Sequence, residues 1–224
     1  MFHINHGCVN GIQSVLVLSP DADVLTGLLY HFRKTWNLDE LYMRLCRGKT
    51  TKTVPLHLLV QKLNNVLVEC LHAIHALSGC DTTSKVGPKT ACLNKSLDLD
   101  LINDFGKAPM TESMIKQAEM FLINCLNKSR DVFTFDDYRY EQYHDTRTVD
   151  FNKLICTSSA IEEHIKWAYY QSVQWYTAPE PLTAYPSPTD NNGYKLTQDG
   201  RMLPIIVKGD ARPSNLPPPC KCTT

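Results

Sequence analysis

Ile12-Gln13-Ser14-Val15-Leu16-Val17-Leu18, followed directly by Ser19-Pro20-Asp21-Ala22-Asp23, is the stretch on which the fold turns. A short apolar run rich in β-branched residues is the pattern of a parallel strand covered on both faces, so 12–18 reads as a central strand. Residues 1–11 show no pattern of a helix or strand ahead of it. A central strand at the very start of the chain implies sheet neighbours that lie outside it. Ser19-Pro20-Asp21 then makes a tight turn, and Val24-Leu25-Thr26-Gly27-Leu28-Leu29-Tyr30 predicts a helix lying back on the sheet, giving a strand, turn, helix unit.

Working outward, residues 40–45 and 51–54 flank Gly48-Lys49 and predict a β-hairpin with a short polar loop. Val66, Leu67, Cys70, Leu71, Ile74 and Leu77 recur at helical spacing, which predicts a buried helix delivering the chain to Ser78-Gly79-Cys80-Asp81. Pro88 suits a first helical turn, and a helix is expected from there through Leu93. Beyond residue 105 the organisation changes to helices. One begins near Thr111, with Met114, Ala118, Phe121, Leu122 and Cys125 on one face. Another opens on the capping-box pair Ser159 and Glu162 and runs on through Ile161, Ile165, Ala168 and Tyr169. Pro179, Pro181, Pro186 and Pro188 end it, and Asp199-Gly200 signals a hairpin over 196–203. The reading is therefore α/β at 1–105, a helical region at 106–178, and a proline-rich linker, small hairpin and tail at 179–224.

Composition narrows the class. Lys plus Arg and Asp plus Glu stand at 23 each, so the chain has no overall excess of positive charge with which to hold a phosphate backbone, and any nucleic-acid contact is local. Nine cysteines are an odd number, six of them (Cys8, Cys46, Cys70, Cys92, Cys125 and Cys156) are scattered singly, and no signal peptide is evident. This argues against a secreted disulfide framework and for an intracellular, soluble protein of the nucleus or cytosol. No stretch approaches the roughly 20 apolar residues of a membrane span.

Three aspartates carry the candidate chemistry. Asp21 and Asp23 stand at the carboxyl end of the predicted strand, where ligand-binding groups of open α/β sheets gather. Asp81 follows the predicted buried helix, 58 positions after Asp23 (81 minus 23). Carboxylates gathered in a desolvated cleft repel one another unless a cation neutralises them, and hard divalent ions with oxygen ligands are the natural partners. Two such ions can activate water and stabilise the leaving oxygen of a phosphodiester. Each aspartate also has a structural reading. Asp21 and Asp23 suit a first helical turn, where the helix dipole favours acids, and Asp81 suits a turn or cap.

Ser19-Pro20-Asp21-Ala22-Asp23-Val24 resembles the strand-end Asp-x-Asp motif of PIN-like nucleases of the flap-endonuclease/XPG type. Ser78-Gly79-Cys80-Asp81 resembles their later Gly-[Ser/Cys]-Asp motif, and Gly87-Pro88-Lys89-Thr90-Ala91 the glycine-lysine stretch after it. Order and context match over residues 12–91, about a third of the chain. The resemblance implies an incomplete PIN-like (Rossmann-like) parallel sheet with helices. It makes Asp21, Asp23 and Asp81 ligands of Mg²⁺ or Mn²⁺, and Gly87, Lys89 and Thr90 contacts to a nucleic-acid backbone. The longer pieces His75-Ala76-Leu77-Ser78-Gly79-Cys80-Asp81-Thr82-Thr83, Glu163-His164-Ile165-Lys166 with Tyr170-Gln171, and Tyr185-Pro186-Ser187-Pro188 resemble a group of invertebrate proteins, often associated with mobile elements. These join a PIN-like half to a helical region, and a cysteine-rich segment follows.

The pattern departs from the nuclease family in two places. Residues 1–11 contain neither Asp nor Glu, where the family places further acidic motifs, and a single Gly87 stands where a Gly-x-Gly pair is usual. The expectation is a fragment of a metal-dependent nuclease that is inactive as it stands. The alternatives are a non-catalytic interaction module or mobile-element remnant, and the N-terminal part of a zinc-dependent DNA-binding protein.

Lesser candidates complete the reading. His72 and His75, three apart on a helix, could face one metal or serve as core histidines. Cys220 and Cys222 have no second pair, so no zinc is expected in this chain. The aromatic run Trp167 to Tyr176 could stack on bases or pack helices, and Lys49, Lys52, Lys85 and Lys89 could form a basic patch or stand as ordinary solvated lysines.

Overall fold

Three strands and the helices laid against one face of them organise the N-terminal part of the chain. The structure is a computed structural model and describes residues 1–47, 50–86, 93, 96–126, 131–145, 154–181 and 185–206. Strand β1 (Ser14–Leu18) pairs in parallel with β2 (Glu40–Arg47), from Ser14 opposite Glu40 to Leu18 opposite Arg44. Strand β2 pairs antiparallel with β3 (Thr50–Pro55), from Tyr42 opposite Pro55 to Arg47 opposite Thr50. The order is β1-β2-β3, so the sheet is mixed, not parallel throughout. The hairpin that makes it mixed follows from the short polar connection at 48–49, because a parallel return needs a crossover of a dozen residues or more.

Two expectations for the start of the chain are corrected. A helix, α1 (Phe2–Val9), precedes β1. It has little apolar periodicity of its own, and tertiary contacts hold it, with Met1, Ile4 and Cys8 packed on the core beneath. Strand β1 is also not central among the described residues. It pairs only with β2, and its burial alternates, so Leu16 (43 % exposed) and Leu18 (67 %) stand on an open face while Val15 and Val17 face the core. The apolar run was compatible with either arrangement, since composition alone does not say whether a second layer covers the far face.

Helix α2 (Ala22–Lys34) starts where Asp21, in extended backbone, accepts the Asp23 N–H on its side chain at 2.9 Å. It buries Gly27, Leu28, Leu29 and His31. Helix α3 (Leu56–Lys62) follows β3 directly, and α4 (Asn65–Ser78) is capped by Asn64, which accepts the Val66 N–H at 2.8 Å. All nine residues from Cys70 to Ser78 are buried, so the second half of α4 has no solvent face.

That helix belongs to both apolar cores. Val68 and Leu71 join Leu28, Leu41, Met43 and Leu56 beneath the sheet. Cys70, Ala73, Ile74 and Leu77 join the helical core, which contains Phe105, Phe121, Phe135, Ile161 and Ile165. A 3-10 helix (Ser96–Ile102), α5 (Glu112–Leu126), α6 (Phe135–Asp145) and α7 (Ser158–Thr177) complete it. Thr157, not Ser159, caps α7, its side chain accepting the Ala160 N–H. In a Thr-Ser-Ser run every hydroxyl offers the same local chemistry, and the first with extended backbone takes the role. Strands β4 (Tyr194–Leu196) and β5 (Met202–Pro204) form the expected hairpin, closed by a five-residue loop, 197–201, in which the Thr197 hydroxyl bonds Arg201. No helix among the described residues is long and apolar enough to cross a membrane.

Candidate functional site

The carboxyl end of β1 turns through Ser19 and Pro20 into α2, and this turn places the first two aspartates side by side in different situations. Asp21 is exposed; its carboxylate caps α2, and its own N–H bonds the Ser19 hydroxyl at 3.2 Å. Asp23, in the first turn of α2, points across to α4, where its Oδ1 accepts from His75 Nε2 at 2.5 Å. The His75 side chain is 6 % exposed and that of Asp23 23 %. The indole of Trp175, from the C-terminal end of α7, stacks on the His75 ring with centroids 5.4 Å apart and planes 25° apart. The His75–Asp23 pair thus sits at the meeting of α2, α4 and α7. Next to it, between α2, α3 and α4, lies an apolar hollow of about 420 Å³ whose lining includes Leu25, Leu29, Leu71 and Ile74, with Thr26, His75 and Ser78 as its polar members.

Asp81 lies past the end of α4. Gly79, with φ +108°, reverses the chain there, and the loop folds back so that the Thr83 hydroxyl donates to the Ala76 carbonyl at 2.8 Å and the Val86 N–H to the Ser78 carbonyl at 3.1 Å. Asp81 is exposed and lines a separate open hollow of about 600 Å³ with Thr82, Ser84, Trp167, Tyr194 and Ile206. Asp21 and Asp23 therefore stand in the first turn of α2 against the last turn of α4, whereas Asp81 lies beyond α4 on a separate hollow. Among the described residues no group of three or more His, Cys, Asp or Glu side chains is arranged to hold a metal ion. Gly87, Lys89 and Thr90, the helix expected from Pro88 except its end at Leu93, Lys49, and Cys220 and Cys222 lie outside the described residues.

Behind His75 is a buried ring cluster that spacing alone did not reveal. His72, 0 % exposed, lies within 4.7–5.7 Å, centroid to centroid, of Tyr30, His31, Trp175 and Tyr176. Neither of its ring nitrogens has a hydrogen-bond partner among the described residues. Burial pushes His72 well below the usual histidine range, and the neighbouring His31, His75 and Lys107 add to the shift. Burial likewise lowers His31 to about 4, against the opposing effect of its bond to the Trp175 carbonyl. His72 and His75 share a helix but diverge in role: one ring is enclosed by aromatics, the other meets a carboxylate.

Chemically, the His75–Asp23 pair can hold a proton between ring and carboxylate, and a cation reaching Asp23 must compete with the imidazole for it. The aromatic run of α7 packs inward: Trp167 donates to the Gly193 carbonyl at 2.5 Å, Tyr169 to that of Ala108 at 3.0 Å, and Tyr176 to that of Glu69 at 2.9 Å. The sequence signal for His75 was its place in the same apolar stripe as Leu71 and Ile74, but its partner lies 52 residues away and no local pattern names it. No protein-family model matches the chain, and no curated protein or solved structure matches it.

Proposed function

We propose that this chain is the carboxylate-bearing part of a PIN-like module of the flap-endonuclease/XPG type, able to attract Mg²⁺ or Mn²⁺ through Asp21, Asp23 and Asp81 but not to cleave nucleic acid by itself. The observation that carries this reading is the position of Asp21 and Asp23 at the carboxyl end of a strand in a parallel pair, with Asp23 fastened to α4 six residues before Asp81 (81 minus 75). Strand ends of this kind are where open α/β sheets assemble ligand sites. Two-metal hydrolysis needs enough fixed carboxylates to hold both ions and orient a water, and misplacement forfeits most of the benefit. Here one carboxylate caps a helix and another holds a histidine. In this reading Gly87, Lys89 and Thr90 meet the nucleic-acid backbone.

A non-catalytic interaction module is the second reading, favoured by the edge of β1 that no described residue pairs with and by its open apolar face. Pairing with an added strand would satisfy that edge.

The test is to incubate the purified chain with single-stranded, duplex and flap substrates in Mn²⁺ and, separately, to titrate Mn²⁺ by calorimetry. The expected result is no turnover, with weak Mn²⁺ binding that Asp81→Asn and Asp23→Asn each reduce. Turnover lost in Asp21→Ala would overturn the inactivity, and Mn²⁺ binding indifferent to all three aspartates would overturn the metal assignment.

A further inference from the structure

We infer that the C-terminal end of α7 is an acid-operated latch: His31 of α2 and His72 of α4 hold Trp175 and Tyr176 in place only while both rings are neutral. The geometry fixes this. His31 Nε2–H donates to the Trp175 carbonyl at 2.9 Å, so in the neutral ring Nδ1 is the bare nitrogen, and it accepts from the Thr35 hydroxyl at 3.1 Å. A second proton on His31 would land on Nδ1 and reverse that bond, the Thr35 hydroxyl then accepting, so the penalty is a full positive charge inside a site with 0 % exposure. His72 is packed against His31, Trp175 and Tyr176 with no acceptor for either ring nitrogen among the described residues, so its protonated form would bury a charge and two unmet donors.

Among the described residues the surroundings offer no compensating anion. From α2 the cluster receives Tyr30 and Thr35, and Trp36 follows that helix; α7 contributes Trp175, Tyr176 and the Trp175 carbonyl. The charges within range are positive: the Met1 amino group acts on His31, and Lys107 on His72. Glu69 is engaged by Lys34 and, at 4.0 Å, by Lys107, while Asp23 is bound to His75. His164, further back on α7, donates Nε2–H to the Leu77 carbonyl at 2.8 Å and holds the opposite end of the helix.

The direction follows from linkage. A histidine whose folded pKa lies below its unfolded value contributes stability that is complete above the unfolded pKa and is lost as pH falls towards the folded one. For His31, between an ordinary 6.5 and about 4, the opening equilibrium rises about 30-fold from pH 7.5 to pH 5. His72 adds to it in the same direction.

Hydrogen exchange of the wild-type chain, corrected for intrinsic rates, tests the latch. Between pH 7.5 and pH 5 the opening that exposes amides 172–177 should rise 30-fold or more, while the β2 amides change little. Trp175 emission should shift over the same interval. His31→Gln keeps a donor for the Trp175 carbonyl, and His72→Phe keeps the ring; in the double variant the acid-dependent rise should disappear. An equal rise in β2 in the wild type, no rise at 172–177, or a rise that persists in a folded double variant overturns the latch. If the variant does not fold, the wild-type exchange and the ring-proton titrations of His31 and His72 by NMR decide it, because both rings must titrate together with the α7 amides.

Discussion

Replacing Gly79 by alanine should destabilise the chain by about 3–5 kcal/mol. Gly79 has φ +108° and ψ 137°, a conformation that costs a residue with a side chain about 1–3 kcal/mol. There is also no room. An added Cβ would lie 2.6 Å from the Lys85 Cα, 2.7 Å from the Ser84 carbonyl oxygen and 3.0 Å from the Lys85 nitrogen, all of them backbone atoms. The returning loop would have to move away from the end of α4, weakening the Val86 to Ser78 and Thr83 to Ala76 bonds, each worth about 1 kcal/mol. For a chain of this length each kcal/mol lowers Tm by about 2–4 °C, so a fall of about 10 °C is expected. Gly200→Ala is the control, since Gly200 also has positive φ (+80°) but nothing within 4 Å of an added Cβ, and conformational cost alone applies. The assay is paired thermal and urea unfolding of the two variants. If Gly79→Ala melts within 2–3 °C of Gly200→Ala, the loop does not press on the helix end as described, and Asp81 is not held by this packing.

Thr157→Ala should cost about 1 kcal/mol in urea unfolding through loss of the α7 cap, whereas Ser159→Ala should cost clearly less. Ile165→Ala, at a fully buried position in the helical core, should cost about 2–5 kcal/mol by the same measurement. Lys166, 2 % exposed, is opposed by burial, but its hydrogen bonds to Glu162 and Glu163 outweigh that and hold its pKa above the ordinary value. Glu163→Ala should therefore cost about 3–5 kcal/mol, and the paired change Glu163→Leu with Lys166→Met far less; equal losses in a double-mutant cycle would disprove a dependence of Lys166 on this partner. Leu18→Lys, on the open face of β1, should reduce light scattering of concentrated solutions while leaving Tm within about 2 °C.

Periodic stretches were legible, because the local pattern and the tertiary environment agree there. The strand and helix around Asp21, the hairpin at 40–55, α4 and α5 all stand where alternation or helical spacing places them. What escaped was set by contacts distant in sequence. Helix α1 is held by the core beneath it, and the open face of β1 depends on which layers exist to cover it. The identity of the α7 cap was lost for a different reason, three adjacent hydroxyls with equivalent chemistry. At the candidate site the sequence located Asp21, Asp23 and Asp81 on their elements but not their engagements. A helix cap competes for Asp21, and His75 reaches Asp23 through the packing of α2 on α4, a relation that emerges only when the helices are assembled.

The nine buried residues in succession along α4 have a consequence for how this sequence can drift. A helix at the surface of a core, such as α5, changes freely at the positions between Met114, Ala118, Phe121 and Cys125, so a scan of all substitutions along it should oscillate with a period of 3.6 residues. From Cys70 to Ser78 no side chain reaches solvent freely, and the one outlet among the described residues is the apolar hollow beside Leu71, Ile74, His75 and Ser78. Tolerance should fall to a flat minimum over those nine positions. Ala73 and Ala76 should admit least enlargement, because their small side chains set how closely the neighbouring elements approach, and overpacking a filled core costs about 1–3 kcal/mol.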